Sequence, residues 1–180
     1  RTTIRKAMGL LAREGYIEIK QGRGTRVLNY KARQNFNHVT SVTESLRKKG
    51  FEVTTKSMHI DLIPAAYPLI ETLNLKEGEA LARVQRIQLA DGKPICLMTN
   101  YIPYALVPGL EQATGAFIAL YQYLEETYGF IINNTKDRIF AAAASFYEAE
   151  MLEILTGTPI LQIERTCYNQ GKAICCDLVK

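Results

Sequence analysis

The chain has 180 residues, of which 47% are hydrophobic and 22% charged. That is an ordinary globular composition with ample apolar material for a core, and it excludes a disordered, collagen-like or disulfide-scaffold protein. No apolar run approaches the ~20 residues a membrane span needs, and Arg1-Thr-Thr-Ile-Arg5 is no signal-peptide core. No membrane partner is expected, and the expected location is the cytoplasm. The chain opens without Met and inside a helical pattern, so it reads as a piece of a longer protein.

Charge is distributed unevenly. Residues 1–33 hold nine Lys/Arg and two Asp/Glu, a balance of +7, while the remaining 147 residues balance at −3. A strongly basic end on a mildly acidic body suggests a nucleic-acid-binding element joined to something else; the bland alternative is a solvated basic tail. The four cysteines (Cys96, Cys167, Cys175, Cys176) form no CxxC pair, and His38 and His59 are the only histidines. Zinc-ligand spacing is absent. The thiols read as reduced and mostly buried, and neither a metal nor a cofactor is expected.

In chain order, Ile4, Ala7, Met8 and Leu11 make a helical stripe over residues 1–14, with Arg1, Thr2, Arg5 and Lys6 off it. Gly15 ends the helix. Tyr16–Lys20 alternates as a strand, Gln21-Gly22-Arg23-Gly24 is a tight turn, and 25–28 is the return strand. Residues 29–38 are polar and aperiodic, a linker. Ser41-Val-Thr-Glu44 fits a capping box opening a short helix to Lys49. Residues 51–63 read as a strand, and Pro64 can open a helix through Leu73. Strand runs at 80–89 and 94–102 flank Asp91-Gly92, a strong hairpin signal. A helix over 117–128 ends at Gly129, and a strand follows at 130–141. Ser145-Phe-Tyr-Glu148 is a second capping box, for a helix to about Leu155. Runs at 160–168 and 173–179 form a hairpin around Asn169-Gln-Gly171. The fold class is α+β: a partial winged helix, then a mainly antiparallel sheet flanked by helices.

The basic end suits DNA. Arg1, Thr2 and Arg5 share a helix face that fits a major groove, where Arg can bond a guanine edge. Gly22 and Gly24 let the wing's backbone approach phosphate, and Arg23 adds charge. An amphipathic helix beside an unrelated hairpin is the plain alternative. The run Arg1-Thr-Thr-Ile-Arg-Lys-Ala-Met-Gly-Leu-Leu-Ala-Arg-Glu-Gly-Tyr-Ile17, followed by Gly22-Arg-Gly-Thr-Arg-Val27, resembles the recognition helix and wing of GntR-family bacterial repressors. The resemblance covers residues 1–28, and the family's two earlier helices would precede Arg1. It implies operator DNA as a partner, contacted by Arg1, Thr2, Thr3 and Arg5 of the helix and by Gln21, Gly22, Arg23, Gly24 and Thr25 of the wing.

Val84-Gln-Arg-Ile-Gln-Leu-Ala-Asp-Gly-Lys-Pro-Ile95, Tyr101-Ile-Pro103 and Leu120-Tyr-Gln-Tyr-Leu-Glu-Glu-Thr-Tyr-Gly129 resemble the UTRA domain of the HutC subfamily. With the strand pair around Gly171, this resemblance spans about 39–180. It implies a chorismate-lyase-like fold, homodimerisation and a small-molecule effector. The residues themselves suggest an anion site, with Ser41 and Thr43 at a helix N-terminus and Arg86 on a strand; plain capping and a surface ion pair are the alternatives. In relatives that bind sugar phosphates, positions matching Ser41, Thr43 and Arg86 hold the phosphate, with Val42 between them. The sequence departs from that pattern. Gln88 replaces a second Arg, Met98 a Glu, Ala119 a Ser and Cys175 a second Glu, although Tyr121 remains; a further Tyr would fall just past Lys180. The implied effector is a small anion with few hydroxyls.

The expected function is a DNA-binding transcriptional regulator, a repressor and not an enzyme, modulated by that effector. A chorismate-lyase-like enzyme would explain the body but not the basic end, and no acid–base pair or nucleophile constellation stands out. A thiol- or metal-responsive regulator would use the cysteines, but Cys175 and Cys176 must point to opposite sheet faces. A DNA-binding module without a ligand would leave the body unexplained.

Overall fold

The computed structural model describes residues 2–13, 17–20, 22, 24–27 and 41–180. The chain divides into two compact units, Arg1–His38 and Val39–Lys180. In the first, helix α1 (Thr2–Arg13) is followed by β1 (Ile17–Lys20) and β2 (Gly24–Val27), paired antiparallel with Ile17 opposite Val27 and Lys20 opposite Gly24. Gly22 and Gly24 take positive φ of 78° and 89°, the left-handed backbone that the narrow turn requires.

The second unit is built on six antiparallel strands in the order β3-β4-β5-β8-β7-β6. They are β3 (Val53–Pro64), β4 (Ala80–Ala90), β5 (Lys93–Pro103), β6 (Asn134–Ala143), β7 (Pro159–Asn169) and β8 (Lys172–Val179). The helices are α2 (Val42–Lys48), α3 (Leu69–Thr72), α4 (Leu120–Tyr128) and α5 (Phe146–Leu152). Asp91-Gly92, both at positive φ, close the β4–β5 hairpin, and Gln170-Gly171 close β7–β8 in the same way.

The period-2 alternation of the strands sorts two cores. Ala82, Val84, Ile102, Cys167 and Cys175 face α4, where they pack with Leu120, Leu124, Val107 and Leu110. Leu81 and Cys176 face the other way, toward Ala65 and Leu73 beside α3. Leu124 is 1% exposed, so truncation to Ala should cost about 2–5 kcal/mol. Cys175 and Cys176 do lie on opposite faces.

Four elements differ from their sequence reading, among them β6, which runs over 134–143 rather than 130–141. Pro64 does not open a helix. It is the last residue of β3, opposite Ala80, and the ladder continues as Ala65 donates to Glu79 and accepts from Gly78 (2.7 and 3.0 Å). Those bonds keep the backbone extended, and α3 forms only after Pro68. Residues 117–119 are likewise not helical. The Ile118 carbonyl is held by side chains of β4, so α4 begins at Leu120. Finally, α5 stops at Leu152 because Glu153 turns left-handed (φ 58°).

Candidate functional site

Among the described residues, a cavity of about 380 Å³ is lined by Ser41, Thr43, Glu44 and Arg47 of the α2 region, Ala119, Tyr121, Gln122 and Glu125 of the α4 region, and Ile131 and Ile132. Ser41 caps α2: its hydroxyl accepts from the Glu44 amide at 3.1 Å. The Glu44 carboxylate turns outward to Lys48 (2.6 Å), so its side chain goes to the next turn of the helix rather than back over the N-terminus. Val42 is the first helical residue.

Beneath the cavity the sheet buries polar groups in rows. Arg86, 4% exposed, donates to the Ile118 carbonyl and to Asn100 Oδ1, both at 2.9 Å. Its guanidinium also lies 5.5 Å from the Phe117 ring centroid, a cation–π distance. Asn100 donates to Asp177 Oδ1 at 2.7 Å. Asp177 also accepts from the Tyr121 hydroxyl and from the Cys175 thiol (2.8 Å). Gln88, fully buried, donates to Thr43 Oγ1 at 2.7 Å and to the Ile118 carbonyl at 3.5 Å. On β7, Arg165 grips Asp137 of β6 with two bonds of 2.8 and 2.7 Å.

These rows follow from register. Val84, Asn100, Asp177, Arg165 and Asp137 are successive cross-strand partners, and all face α4. Burial pulls the Arg86 guanidinium below its ordinary pKa, and Asp177 opposes that shift. Burial, then Asp177 and the two thiols, push the Tyr121 phenol well up, so it stays protonated and donates. Burial, the largest single influence, opposes the charge of Arg165, but Asp137 and Tyr121 together outweigh it and hold the guanidinium above its ordinary value.

The sequence-derived effector residues fall into three groups. Ser41, Thr43, Ala119 and Tyr121 meet at the cavity wall. Arg86 and Gln88 sit one layer below, separated from it by the segment around Ile118, whose carbonyl both bond. Met98 and Cys175 are buried in the sheet, 6% and 0% exposed. A second cavity of about 260 Å³, between β3–β5 and α5, is bordered by Arg86 and Met98 as well as Tyr147, Glu148 and Lys180. Strand alternation turns the Arg86 and Met98 side chains toward α4, so their backbone forms that border. A surface ion pair is not what Arg86 makes: none of its bonds among the described residues goes to a carboxylate.

Sequence reasoning missed Asn100, Asp177 and the Asp137–Arg165 pair. The available signal was Asp177 inside Ile174-Cys-Cys-Asp-Leu178, a charge in an otherwise apolar strand that burial must pair.

Of the DNA-contact candidates, Thr3 and Arg5 are exposed on α1, and Gly22, Gly24 and Thr25 are exposed at the wing. Thr2 opens α1. Arg1, Gln21 and Arg23 lie outside the described residues.

The UTRA domain profile matches residues 48–179, most of the chain. The chain belongs to the UTRA-domain family. It is similar to the transcriptional repressor NagR of Bacillus subtilis, 29% identical over 95% of this chain and 70% of that protein. It is 32% identical to the regulator Rv0792c of Mycobacterium tuberculosis, over 97% of this chain and 65% of that one. The crystal structure of PhnF from Mycobacterium smegmatis superposes with a TM-score of 0.76 at 25% identity, over 99% of this chain and 78% of that chain. This UTRA chain is thus a transcriptional regulator of the GntR type, and nothing in these comparisons supports the lyase-like enzyme. No helix among the described residues is long and apolar enough to cross a membrane.

Proposed function

We propose that this regulator is a non-enzymatic, dimeric operator-binding protein whose residues 39–180 take up a small anion of low hydroxyl content. The observation that carries the anion reading is Arg86. A buried guanidinium is costly unless paired with an anion. Here it bonds two neutral acceptors, and its Nε has no partner. Gln88 Oε1 is also buried without a partner. An anionic group that takes the place of the Ile118 carbonyl would meet Arg86, the Gln88 amide and the Thr43 hydroxyl together, with Ser41 and Arg47 at the cavity wall. Ala119, Ile131 and Ile132 leave apolar walls for the ligand body.

Residues 1–28 supply the operator contacts in this reading, through Arg1, Thr2, Thr3, Arg5 and the wing from Gln21 to Thr25. Two-fold operators call for a symmetric dimer. The end of the sheet at β6 offers a face for it: Ile139 is 47% exposed and Leu161 of β7, on the same side of the sheet, is 66% exposed.

A calorimetric panel of carboxylates, simple phosphates and sugar phosphates tests the effector reading. Micromolar binding of a lightly hydroxylated anion, lost in Arg86→Ala, is expected. Unchanged binding in that variant would overturn the anion site, and equally tight binding of an amino-sugar phosphate would overturn the low-hydroxyl reading.

A further inference from the structure

The sequence spacing of the cysteines joins none of them, but the register does. Cys167 of β7 and Cys175 of β8 are direct cross-strand partners on the face toward α4. Asp177 follows Cys175 by two residues and therefore points to the same side. The two sulfurs and a carboxylate oxygen of Asp177 all lie within 4.8 Å of one another, and all three residues are buried. Cys175 Sγ is 2.8 Å from Asp177 Oδ1, and Cys167 Sγ is 3.5 Å from Asp177 Oδ2. Tyr121 closes the group, its hydroxyl 3.2 Å from Cys167 Sγ.

We propose that Cys167, Cys175 and Asp177 form a binding site for a thiophilic divalent cation of the zinc or cadmium type. Two sulfurs and one carboxylate oxygen are the donor set such ions select, with bonds near 2.3 Å to sulfur and about 2.0–2.2 Å to oxygen. Around a tetrahedral ion these lengths put neighbouring donors roughly 3.5–4 Å apart. The cluster meets that spacing after an expansion of about an ångström at its shortest contact. Tyr121 lines the 380 Å³ cavity, so rotation of one side chain opens the cluster to solvent, and a water from the cavity can supply the fourth ligand.

The charge also balances. Each thiol gives up its proton to solvent as its sulfur–metal bond forms, so two protons leave as the dication enters. The buried charge of the cluster therefore stays where Asp177 already sets it, and no new net charge is brought into the sheet. Among the described residues, the charged and titratable groups facing the cluster from the packed elements are Arg86 of β4, Tyr121 of α4 and Arg165 of β7. Binding takes Asp177 from Tyr121, so occupancy of the site alters a wall of the cavity. The site does not depend on the anion reading: loss of cation binding and loss of phosphate binding can be scored separately.

The test is a titration of the whole chain with cadmium under a phosphine reductant, read by the ultraviolet sulfur-to-cadmium charge-transfer band. One ion per chain is expected. Cys167→Ser and Cys175→Ser should each remove about half the band and weaken binding at least tenfold, while Cys96→Ser and Cys176→Ser leave both unchanged. No band in the native chain, or a band that survives in the Cys167→Ser/Cys175→Ser double variant, would overturn the site. X-ray absorption of the zinc-loaded native chain needs no variant and gives an independent reading. Two sulfur neighbours near 2.3 Å with oxygen completing the shell are expected; a shell without sulfur would refute the proposal.

Discussion

Each face of the six-stranded sheet carries a helix that opens on Ser-x-x-Glu, and the two identical motifs end differently. On the α5 face Ser145 and Glu148 close a full capping box. The Ser145 hydroxyl accepts from the Glu148 amide (3.3 Å), and the Glu148 carboxylate accepts from the Ser145 amide (2.7 Å). Lys180, the residue after β8, then clamps that carboxylate at 2.6 Å. On the α2 face only the serine half forms; Glu44 leaves for Lys48, and the helix N-terminus opens on a cavity above buried Arg86. One copy of the motif spends its polar groups on itself and locks the structure. The other sends its carboxylate along the helix and leaves its N-terminus at the cavity wall.

The largest effect should come from the buried network of the cavity face. Asp177→Ala removes the acceptor of Tyr121, Asn100 and Cys175 and leaves Arg86 without its nearby counter-charge. A loss of about 3–5 kcal/mol in urea unfolding is expected. A loss below about 1 kcal/mol would mean the network is not a stabilising unit.

The two glutamates should then separate cleanly. Lys180 and the Ser145 amide hold the Glu148 carboxyl at about 2, against an ordinary 4.5. Because the folded value is depressed, the stabilisation is complete above about pH 4.5 and is lost as pH falls from there through about 2. Glu148→Gln should therefore cost about 1–3 kcal/mol at neutral pH and flatten the acid limb of a melting-temperature profile in that window. Glu44→Gln should change stability by no more than about 0.5 kcal/mol, since its pair with Lys48 is solvent-exposed. Equal effects in the two variants would erase the contrast between the faces.

The smallest expected difference lies between the serines. Ser41→Ala and Ser145→Ala should each cost about 1 kcal/mol as lost caps, measured by thermal denaturation. Only Ser41→Ala should also weaken anion binding in calorimetry. Weakened binding in Ser145→Ala would move the ligand to the other face.

The strands and hairpins were legible because their signals are local. Alternation over 80–89 and 94–102 around Asp91-Gly92 needs nothing beyond neighbouring residues. The helix start at Ser145 was legible for the same reason, and so was the opposite facing of Cys175 and Cys176. Ser41, Thr43, Ala119 and Tyr121 were also readable as a group, through resemblance to the family. Pro64 was misread because a proline that can open a helix can also end a strand where no N–H is required. The partner that decides is Ala80, sixteen positions away.

The sequence by itself determined the family, the antiparallel α+β body and the basic end, since periodicity, turn chemistry and charge are properties of short stretches of chain. Only the tertiary structure decided which polar groups meet. Cross-strand register placed Asn100 against Asp177 and Cys167 against Cys175, and it set Arg86 beneath the Ile118 carbonyl rather than at the surface. Register depends on how whole strands align, and a shift of one residue would send each of these side chains to the opposite face.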